Sequence, residues 1–388
     1  MLNKALPMAA KGKRVLIIAG EASGDLYGGN LVKAIRTVDP SISFLGVGGP
    51  SMEEAGVVLL RHAEEMAVVG LPGVKRLLTI LEAFKEVSAS LTNWRPDLII
   101  LIDYPEFNLM VAGKAKRLEI PVMYYVSPQI WAWRSGRINT IRSRVDRMVV
   151  ILPFEEKLYQ EAGVDVSFVG HPLLDLMEVE NNGEPLNLGS DENGSRRLIG
   201  LLPGSRNSEI SRLLPVMLDT ARILVDMIPG VQFLVPLAPT ISKEQVYPYL
   251  NGRDLPLTLV TDSTHEVIQA CEMIIAASGT VTLEAAILGT PLVVVYKVNP
   301  LTYWLGKRLV HVNHVALANI IAGETVAPEL IQHDVTPERI VQESLNILSD
   351  YKRQEWIKKR LQDVHKELGT PGASDKAAAI ALELMGRG

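Results

Sequence analysis

The sequence predicts an α/β fold in which two doubly wound parallel sheets face one another across a cleft. Short apolar runs alternate with amphipathic helical patterns along almost the whole chain. Near-continuous apolar strands indicate sheets that are covered on both faces, as parallel sheets are. The chain has 388 residues, more than a single hydrophobic core usually serves, so two domains are expected.

The composition is typical of a cytoplasmic enzyme. A formal net charge of −5 gives no reason to expect nucleic acid as a partner. Cys271 is the one cysteine, which excludes an intramolecular disulfide and fits a reducing compartment. The segment Met1 to Lys13 lacks the apolar core of a signal peptide. No uncharged apolar run reaches the roughly 18 residues of a membrane span.

The first domain is predicted over residues 1–177. Arg14–Gly20 has the pattern of a first strand, and Asp25–Val38 that of the helix after it. Further strands are predicted at Ser43–Val47, Asp97–Asp103, Val122–Val126 and Met148–Leu152.

A polar stretch rich in Asn, Gly and Glu, residues 178–197, is predicted to be a linker or surface loop. The alternation then restarts in a second domain over 198–336, with strands at Leu198–Leu202, Gln232–Val235, Leu257–Val260, Met273–Ala276 and Leu292–Tyr296. The remainder, 337–388, is predicted to be a helical tail. It could pack on the first domain or be exchanged with a partner in a homodimer, so the oligomeric state is open.

The first strand-to-helix turn of the second domain has the composition of a phosphate site. In Leu201–Arg206, Gly204 lets the backbone approach a ligand, and the following helix directs free N–H groups at Ser205 toward an anion. Arg206 adds a guanidinium that can hold a diphosphate at two points. An ordinary turn would explain this motif as well.

A second turn of the same kind follows the strand at Met273–Ala276. Ser278, Gly279 and Thr280 open a helix there, and Glu284 lies one helical turn after Thr280. A carboxylate at that position could accept hydrogen bonds from ribose hydroxyls. Each turn alone is as well explained by a plain connection, but the two together favour a nucleotide-diphosphate ligand.

The turn after the first strand, Gly20–Asp25, places a carboxylate at Glu21 between two glycines. Ser23 and Asp25 are good N-cap residues for the following helix. A plain cap would account for either of them but not for Glu21. The roles of Glu21, Ser23 and Asp25 in acceptor binding, capping and catalysis are left open.

Asp103 follows five consecutive apolar residues at the end of a predicted strand and begins the run that ends at Asn108. Burial at such a position raises the proton affinity of a carboxyl group. A carboxylate placed there is a reasonable general base for a hydroxyl group. The alternative is that Asp103 caps the next helix.

The segment Tyr125–Arg134 brings Trp131 and Trp133 together beside Arg134, shortly after Ser127. Aromatic faces next to an arginine suit a sugar that carries a phosphate. A pair of core tryptophans is the alternative.

Metal chemistry is not expected. His171, in a Gly-His-Pro sequence, is predicted either to make a structural hydrogen bond or to contact the donor. His311, His314 and His333 have no spacing to carboxylates that suggests a metal site. No Asp-x-Asp pair occurs in the sequence, so we expect no metal and no cofactor.

The segment Met66–Phe84 combines apolar residues with Lys75 and Arg76. Such a pattern suits a helix that lies in a lipid interface, but it could also contact acyl chains or fill a core. The predicted membrane or acyl contacts are Val68, Val69, Leu71, Val74 and Leu78. Leu301–Val310 is a second, weaker candidate.

The motifs, taken together, resemble the lipid-A-disaccharide synthase family over about residues 14–385. The resemblance rests on GEASGD at 20–25, IDYPEFN at 102–108, SPQIWAWR at 127–134, GHP at 170–172, LPGSR at 202–206 and ASGT…E at 277–284. It implies a GT-B glycosyltransferase with two Rossmann-like domains. The implied reaction is inverting transfer from UDP-2,3-diacylglucosamine to 2,3-diacylglucosamine 1-phosphate, giving the β-1,6 disaccharide phosphate and UDP.

The resemblance also implies roles for individual residues. Asp103, with Glu21, would be catalytic. UDP would be bound by Gly204, Ser205, Arg206, Ser278, Gly279, Thr280, Glu284 and Asn319. The acceptor or sugar would contact Ser23, Asp25, Asn108, Ser127, Trp133, Arg134 and His171. The acylated substrates lead us to expect peripheral binding to the cytoplasmic face of the inner membrane.

Two other functions remain open on sequence grounds. A nucleotide-sugar 2-epimerase or another N-acetylglucosamine transferase would share the two phosphate turns. It has no reason to carry SPQIWAWR or the apolar 66–84 segment. A two-lobed binding protein without catalysis is the more distant alternative, and such proteins usually have a signal peptide.

Overall fold

The computed structural model describes residues 12–66, 73–133, 135–180, 197–238, 240–261, 263–300, 303–304 and 313–386. The chain divides into two compact units, one formed by Met1–Leu176 with Leu368–Gly388 and the other by Met177–Glu367. Each unit contains one parallel sheet, which confirms the predicted fold class of two α/β domains.

The sheet of the first unit has seven parallel strands in the order β3-β2-β1-β4-β5-β6-β7. They are β1 Arg14–Ala19, β2 Ser43–Gly48, β3 Val58–His62, β4 Leu98–Ile102, β5 Val122–Tyr125, β6 Arg147–Val150 and β7 Val166–Phe168. The predicted strands of this unit are present with slightly different ends. Strand β3 was not predicted because it is a half-exposed edge strand that ends in Arg61 and His62.

Helices cover both faces of this sheet. They are α1 Ala22–Val38, α2 Pro50–Glu54, α3 Ala63–Met66, α4 Gly73–Asn93, α5 Pro105–Arg117, α6 Ile130–Trp133, α7 Ile138–Arg144, α8 Pro153–Glu161 and α9 Leu173–Glu180. The central strand β4 is inaccessible to solvent over its whole length, and on one face Phe107 of α5 and Ala83 of α4 contribute to the core around it. Burial of such apolar surface stabilises the fold by about 25 cal/mol per Å².

The second unit has a six-stranded parallel sheet in the order β10-β9-β8-β11-β12-β13. Its strands are β8 Arg197–Leu202, β9 Val231–Leu237, β10 Leu257–Thr261, β11 Met273–Ala277, β12 Leu292–Tyr296 and β13 Glu329–Ile331. The described helices are α10 Asn207–Met227, α11 Lys243–Leu250, α12 Thr264–Ala270, α13 Val281–Leu288, α14 Leu317–Ala322, α15 Pro337–Leu348 and α16 Tyr351–Glu367. The short strand β13 was not predicted.

The predicted tail is divided between the two units. Helices α15 and α16 pack within the second unit, against α10 and α13. A last helix, α17 Ala373–Gly386, belongs to the first unit and packs on α1. The carboxylate of Asp175 accepts hydrogen bonds from the backbone N–H groups of Gly372, Ala373 and Ser374 at 2.7, 3.2 and 3.1 Å, and so caps the start of α17.

Residues 181–196, most of the predicted loop, lie outside the described residues, as do most residues of the 301–310 segment. Within the described part of the chain, no helix is both long enough and apolar enough to cross a membrane.

Candidate active site

Each sheet has a topological switch point, where the chain reverses the direction in which it adds strands. In the first unit this point lies between β1 and β4, and in the second between β8 and β11. Ligands of open α/β sheets bind outside the carboxyl ends of the strands at such points. Glu21 and Asp103 follow β1 and β4, whereas the two predicted phosphate turns follow β8 and β11. All four sequence motifs therefore lie at switch points.

Asp103 follows the buried strand β4 and has a partly buried side chain. Burial raises the pKa of the Asp103 carboxyl to about 6, and the negative charges of Glu21 and Glu106 add to the rise, although a hydrogen bond from the N–H of Tyr104 opposes it. A carboxyl group with this pKa is mostly ionised at neutral pH and is more basic than an ordinary aspartate. It therefore has the properties of a general base.

The backbone around Asp103 is strained and held from several sides. Asp103 and Tyr104 have φ angles of 45° and 44°, and Val126 at the end of β5 has a φ of 63°. Left-handed conformations of residues other than glycine cost about 1–3 kcal/mol each and tend to lie at functional sites. The Asp103 N–H donates to the carbonyl of Val126 at 3.3 Å. Asp103 does not cap α5, since the N-cap residue is Tyr104.

Two buried side chains hold the carbonyl of Asp103. The amide nitrogen of Asn108 donates to this carbonyl at 2.7 Å and to the carbonyl of Ile102 at 3.0 Å. The hydroxyl of Tyr124 donates to the same carbonyl. Asn108 is inaccessible to solvent and positions Asp103 in this structure, and its predicted contact with the acceptor stays a prediction. Tyr124 was not singled out because its position in an apolar strand predicts only a core residue.

The turn after β1 differs from the prediction in its capping. Helix α1 begins at Ala22, so Glu21 is the N-cap residue and the prediction of Ser23 or Asp25 as N-cap was wrong. Glu21 and Ser23 are exposed, whereas Asp25 is 5% exposed. The Asp25 carboxylate accepts backbone hydrogen bonds from Gly49, Ser51 and Met52, at 2.6, 2.9 and 3.1 Å. Its oxygens thus accept hydrogen bonds inside the fold, and the predicted acceptor contact stays a prediction.

The segment that follows β5 is anchored by α8. The hydroxyl groups of Ser127 and Tyr159 are 2.8 Å apart, and the indole N–H of Trp131 donates to Glu155 at 3.1 Å. Ser127 is buried and also donates to the carbonyl of Pro128. Arg134 and the side chain of Trp133 lie outside the described residues. Glu155 and Tyr159 were not predicted, although Glu155 in the first turn of a helix that opens with proline is a recognisable capping position.

His171 is buried and makes the structural hydrogen bond that was one of its two predicted roles. Its ring Nδ1 atom accepts from the backbone N–H of Leu173 at 3.2 Å, and the backbone N–H of His171 donates to the carbonyl of Leu368 at 2.9 Å. The ring meets the ring of Tyr27 edge-on, with 6.2 Å between centroids. Burial lowers the pKa of His171 to about 3, so the imidazole is neutral at physiological pH.

The turn after β8 already holds an anion, which is the carboxylate of Glu209. Its Oε2 atom accepts from the N–H groups of Ser205 and Arg206 at 2.9 and 3.2 Å. Its Oε1 atom pairs with the guanidinium of Arg206 at 3.2 Å. Gly204 has a φ of 113°, and a Cβ atom there would lie 2.2 Å from Glu209, so only glycine fits. The donors assigned to a diphosphate therefore lie together and are suited to an anion.

The turn after β11 contains an exposed glycine and a serine whose side chain is hydrogen-bonded. Gly279 is exposed, with no neighbouring atom in the space that a Cβ would fill. Ser278 donates from its hydroxyl to the carbonyl of Val315 at 3.1 Å, and Thr280 is the N-cap residue of α13. Glu284 is mostly buried, and its Oε2 atom lies 3.4 Å from Nε2 of His265, which was not predicted.

Asn319 is inaccessible to solvent, and its side chain is used inside the second unit. Its carbonyl oxygen accepts from the N–H groups of Val326 and Ala327, and its amide donates to Ala327 and to the carboxylate of Glu329. Glu329 also accepts from the N–H groups of Val315 and Ala316. Asn319 thus positions the segment that Ser278 holds, and its predicted contact with UDP stays a prediction.

Of the predicted membrane contacts, Val68, Val69 and Leu71 lie outside the described residues. Val74 lies in the first turn of α4. Leu78 of the same helix is 55% exposed, and Leu81, three residues later, is 50% exposed. Among the residues that the structure describes, no three His, Cys, Asp or Glu side chains cluster as metal ligands would.

The sequence matches the family model described as lipid-A-disaccharide synthetase over residues 15–384. The chain belongs to the lipid-A-disaccharide synthase family. A synthase of this family from Trichlorobacter lovleyi is 50% identical over 96% of this chain and 98% of its own length. One from Nitrosococcus oceani is 46% identical over 96% of each chain. Membership in the lipid-A-disaccharide synthase family makes the protein a glycosyltransferase of lipid A biosynthesis, as the sequence motifs predicted.

Solved structures show the fold that this chain shares with more distant proteins. A UDP-GlcNAc 2-epimerase from Neisseria meningitidis bound to UDP-GlcNAc aligns with a TM-score of 0.66 at 11% identity, over 95% of this chain and all of that one. The glycosyltransferase of kitacinnamycin aligns with a TM-score of 0.64 at 14% identity over 96% of this chain and 99% of that one. The predicted GT-B fold is confirmed. Because epimerases and transferases share it, the fold does not separate the functions considered, whereas the family match does.

Proposed function

We propose that this protein transfers 2,3-diacylglucosamine from its UDP derivative to 2,3-diacylglucosamine 1-phosphate with inversion, giving the β-1,6-linked disaccharide 1-phosphate and UDP. The observation that carries the mechanism is the carboxylate of Asp103 at the β1–β4 switch point, with a pKa raised to about 6. Inversion in one displacement needs a base for the acceptor hydroxyl and stabilisation of the leaving diphosphate.

Asp103 is the proposed base. Its carboxylate takes the proton of the acceptor 6-hydroxyl while that oxygen attacks the anomeric carbon of the donor. The fixed carbonyl of Asp103, held by Asn108 and Tyr124, supports this assignment because it limits the directions in which the carboxylate can point. Glu21 contributes through its charge, which keeps the pKa of Asp103 high.

The departing UDP is proposed to bind at the β8–β11 switch point. Its diphosphate displaces the Glu209 carboxylate from the N–H groups of Ser205 and Arg206 and takes over the pairing with the Arg206 guanidinium. The N-terminus of α13 at Thr280 adds its positive dipole end. Glu284 accepts from the ribose hydroxyls. The negative charge that develops on the leaving group is thus met by preformed donors, without a metal ion.

Peripheral contact with the cytoplasmic face of the inner membrane is the remaining part of the proposal. The exposed Leu78 and Leu81 support it because they share one face of α4. Exposed apolar side chains on one helix face are typical of a helix that contacts a lipid interface.

A product assay in the presence of EDTA tests the proposed reaction. The purified protein is given UDP-2,3-diacylglucosamine and 2,3-diacylglucosamine 1-phosphate, and disaccharide and UDP are measured for the wild type and for Asp103→Asn. We expect both products from the wild type and a loss of at least about a hundred-fold in the variant. A parallel reaction is given UDP-N-acetylglucosamine alone, and its epimerisation, with no disaccharide formed in the first reaction, would replace the proposal with the epimerase function.

A further inference from the structure

Helix α8 contacts the segment after β5 at two points that the proposed mechanism does not use. Tyr159 and Glu155 are one helical turn apart on α8 and therefore lie on the same side of the helix. Tyr159 hydrogen-bonds to Ser127, at the start of the segment, and Glu155 accepts from the indole N–H of Trp131, four residues further on. One helix thus contacts both the residue that begins this segment and the second residue of α6.

Glu155 carries a carboxyl group at a position where only 1% of the residue is exposed, and so complete a burial is unusual for glutamate. Its second carboxyl oxygen accepts from the N–H of Leu152 at 3.3 Å. Burial raises the pKa of the Glu155 carboxyl to about 8, and hydrogen bonds from Trp131, Leu152 and Ser127 oppose the rise. A carboxyl group that stays protonated at neutral pH acts here as a neutral hydrogen-bond acceptor.

Trp131 is held on a second side as well. Its ring meets the ring of Phe154 edge-on, at 5.1 Å between centroids and 89° between planes. Phe154 is the neighbour of Glu155, so two consecutive residues of α8 determine where the indole lies. An indole ring with its N–H and one edge both fixed has few orientations left.

From these contacts we infer that Glu155 is a positioning residue for acceptor recognition: through the Trp131 indole it fixes the Ser127–Trp133 segment beside Asp103. The inference rests on the proposed function together with the predicted contact of Ser127 and Trp133 with the acceptor sugar. The helix-capping contact with Leu152 offers a purely structural explanation, so the test must measure more than folding.

The test compares Michaelis constants for the two substrates. Glu155→Ala is expected to raise the KM for 2,3-diacylglucosamine 1-phosphate about five-fold or more, the ratio that corresponds to the loss of about 1 kcal/mol. The KM for the UDP-sugar should stay within about two-fold of the wild type. Glu155→Gln keeps a neutral acceptor for the indole and is expected to restore the acceptor KM. Glu156→Ala is the matched control, because Glu156 lies on the same helix and also accepts a backbone N–H, from Phe168.

A double-mutant cycle identifies the route of the effect. Trp131→Phe removes the indole N–H, so the double variant Glu155→Ala/Trp131→Phe should be no worse in acceptor KM than the worse single variant. In protein labelled with 5-fluorotryptophan, the ¹⁹F resonance that Trp131→Phe removes should shift in Glu155→Ala but not in Glu156→Ala. If Glu155→Ala does not fold, the acceptor KM of Trp131→Phe, which loses the hydrogen bond, is compared with that of Glu155→Gln, which keeps it.

Three results would overturn the inference: an unchanged acceptor KM in Glu155→Ala and Trp131→Phe, equal increases for both substrates, or additive effects in the cycle. Failure of the proposed function looks different, because the wild type would then form no disaccharide.

Discussion

Replacing Asp103 with Asn is expected to remove activity and, at neutral pH, to make the protein more stable. Burial and the charge of Glu21 favour the protonated form of Asp103, whose pKa rises from 3.8 to about 6. The folded protein therefore retains a proton that the unfolded chain releases between these two pH values. Stability consequently falls as the pH rises through that window, and the Asn variant does not undergo this loss.

The size of the effect follows from the two pKa values. The shift from 3.8 to about 6 corresponds to an upper limit of about 3 kcal/mol above pH 6, at about 1.4 kcal/mol per pH unit. Because the carboxyl group keeps some contact with solvent, we expect about 1–2 kcal/mol. Asparagine also tolerates the left-handed backbone at this position, where φ is 45°, so the substitution adds no strain.

Urea unfolding at pH 4 and pH 7.5, together with the product assay, measures both consequences. The variant should match the wild type near pH 4 and exceed it at pH 7.5, while kcat/KM falls by about a hundred-fold or more. In the wild type, kcat/KM should rise with pH through about 6 as Asp103 ionises. Asp97→Asn is the control at the opposite end of β4, where the carboxylate accepts from the N–H of Arg14 and pairs with Lys13. It should lose stability and keep its activity.

The reasoning would be refuted by an Asn variant that keeps more than about a tenth of the wild-type rate, since loss of a general base is typically worth at least a hundred-fold. The second possible refutation concerns the difference in unfolding free energy between the Asn variant and the wild type. If the variant is inactive but this difference is the same at pH 7.5 as at pH 4, burial does not destabilise the ionised carboxylate.

Further predictions concern other sites. Arg206→Ala should lower kcat by on the order of a hundred-fold with unchanged circular dichroism, and a loss below about ten-fold would remove Arg206 from the chemistry. Changing Leu78 and Leu81 together to Ser should move the protein from liposomes to the supernatant in a sedimentation assay; unchanged partition would rule out α4 as the contact. Burial lowers the pKa of His171 to about 3, so wild-type protein should lose more stability than His171→Gln in urea titrations as the pH falls from 7 to 5. Glu155→Gln, in contrast, should gain stability relative to the wild type between pH 5 and 8, because a raised carboxyl pKa destabilises the folded state as the pH rises; equal midpoint changes would contradict this.

The strands, the fold class and the location of the candidate sites were predictable from the sequence because each depends on residues that are adjacent in the chain. A buried parallel strand such as Leu98–Ile102 is apolar at every position, whatever packs on it. The turns at Gly204 and Gly279 follow such strands directly. Since parallel strands place their carboxyl ends at one edge, the motifs also indicated the edge of each sheet at which ligands are expected to bind. The half-exposed edge strand β3 lacks this apolar signal, and it was missed.

The assignment of individual polar side chains was less predictable because it depends on contacts between distant parts of the chain. Asp25 looked like a cap for its own helix, yet its partners are the N–H groups of Gly49, Ser51 and Met52. Asn319 was predicted as a contact of UDP, and nothing in the sequence indicated that its amide also holds Glu329 inside the fold.

The sequence by itself determined that this chain forms two doubly wound parallel sheets with acidic and glycine-containing turns at their carboxyl edges, and its motifs indicated the family. The tertiary structure decided which of those polar groups are already used within the fold and which have shifted proton affinities. The pKa of the Asp103 carboxyl is raised because the group is buried at the end of β4 and because Glu21 adds a negative charge. The pKa of the Glu155 carboxyl is raised because the side chain is inaccessible to water. Desolvation and hydrogen-bond saturation depend on everything that surrounds a group in space, whereas periodicity and turn chemistry depend only on its neighbours along the chain.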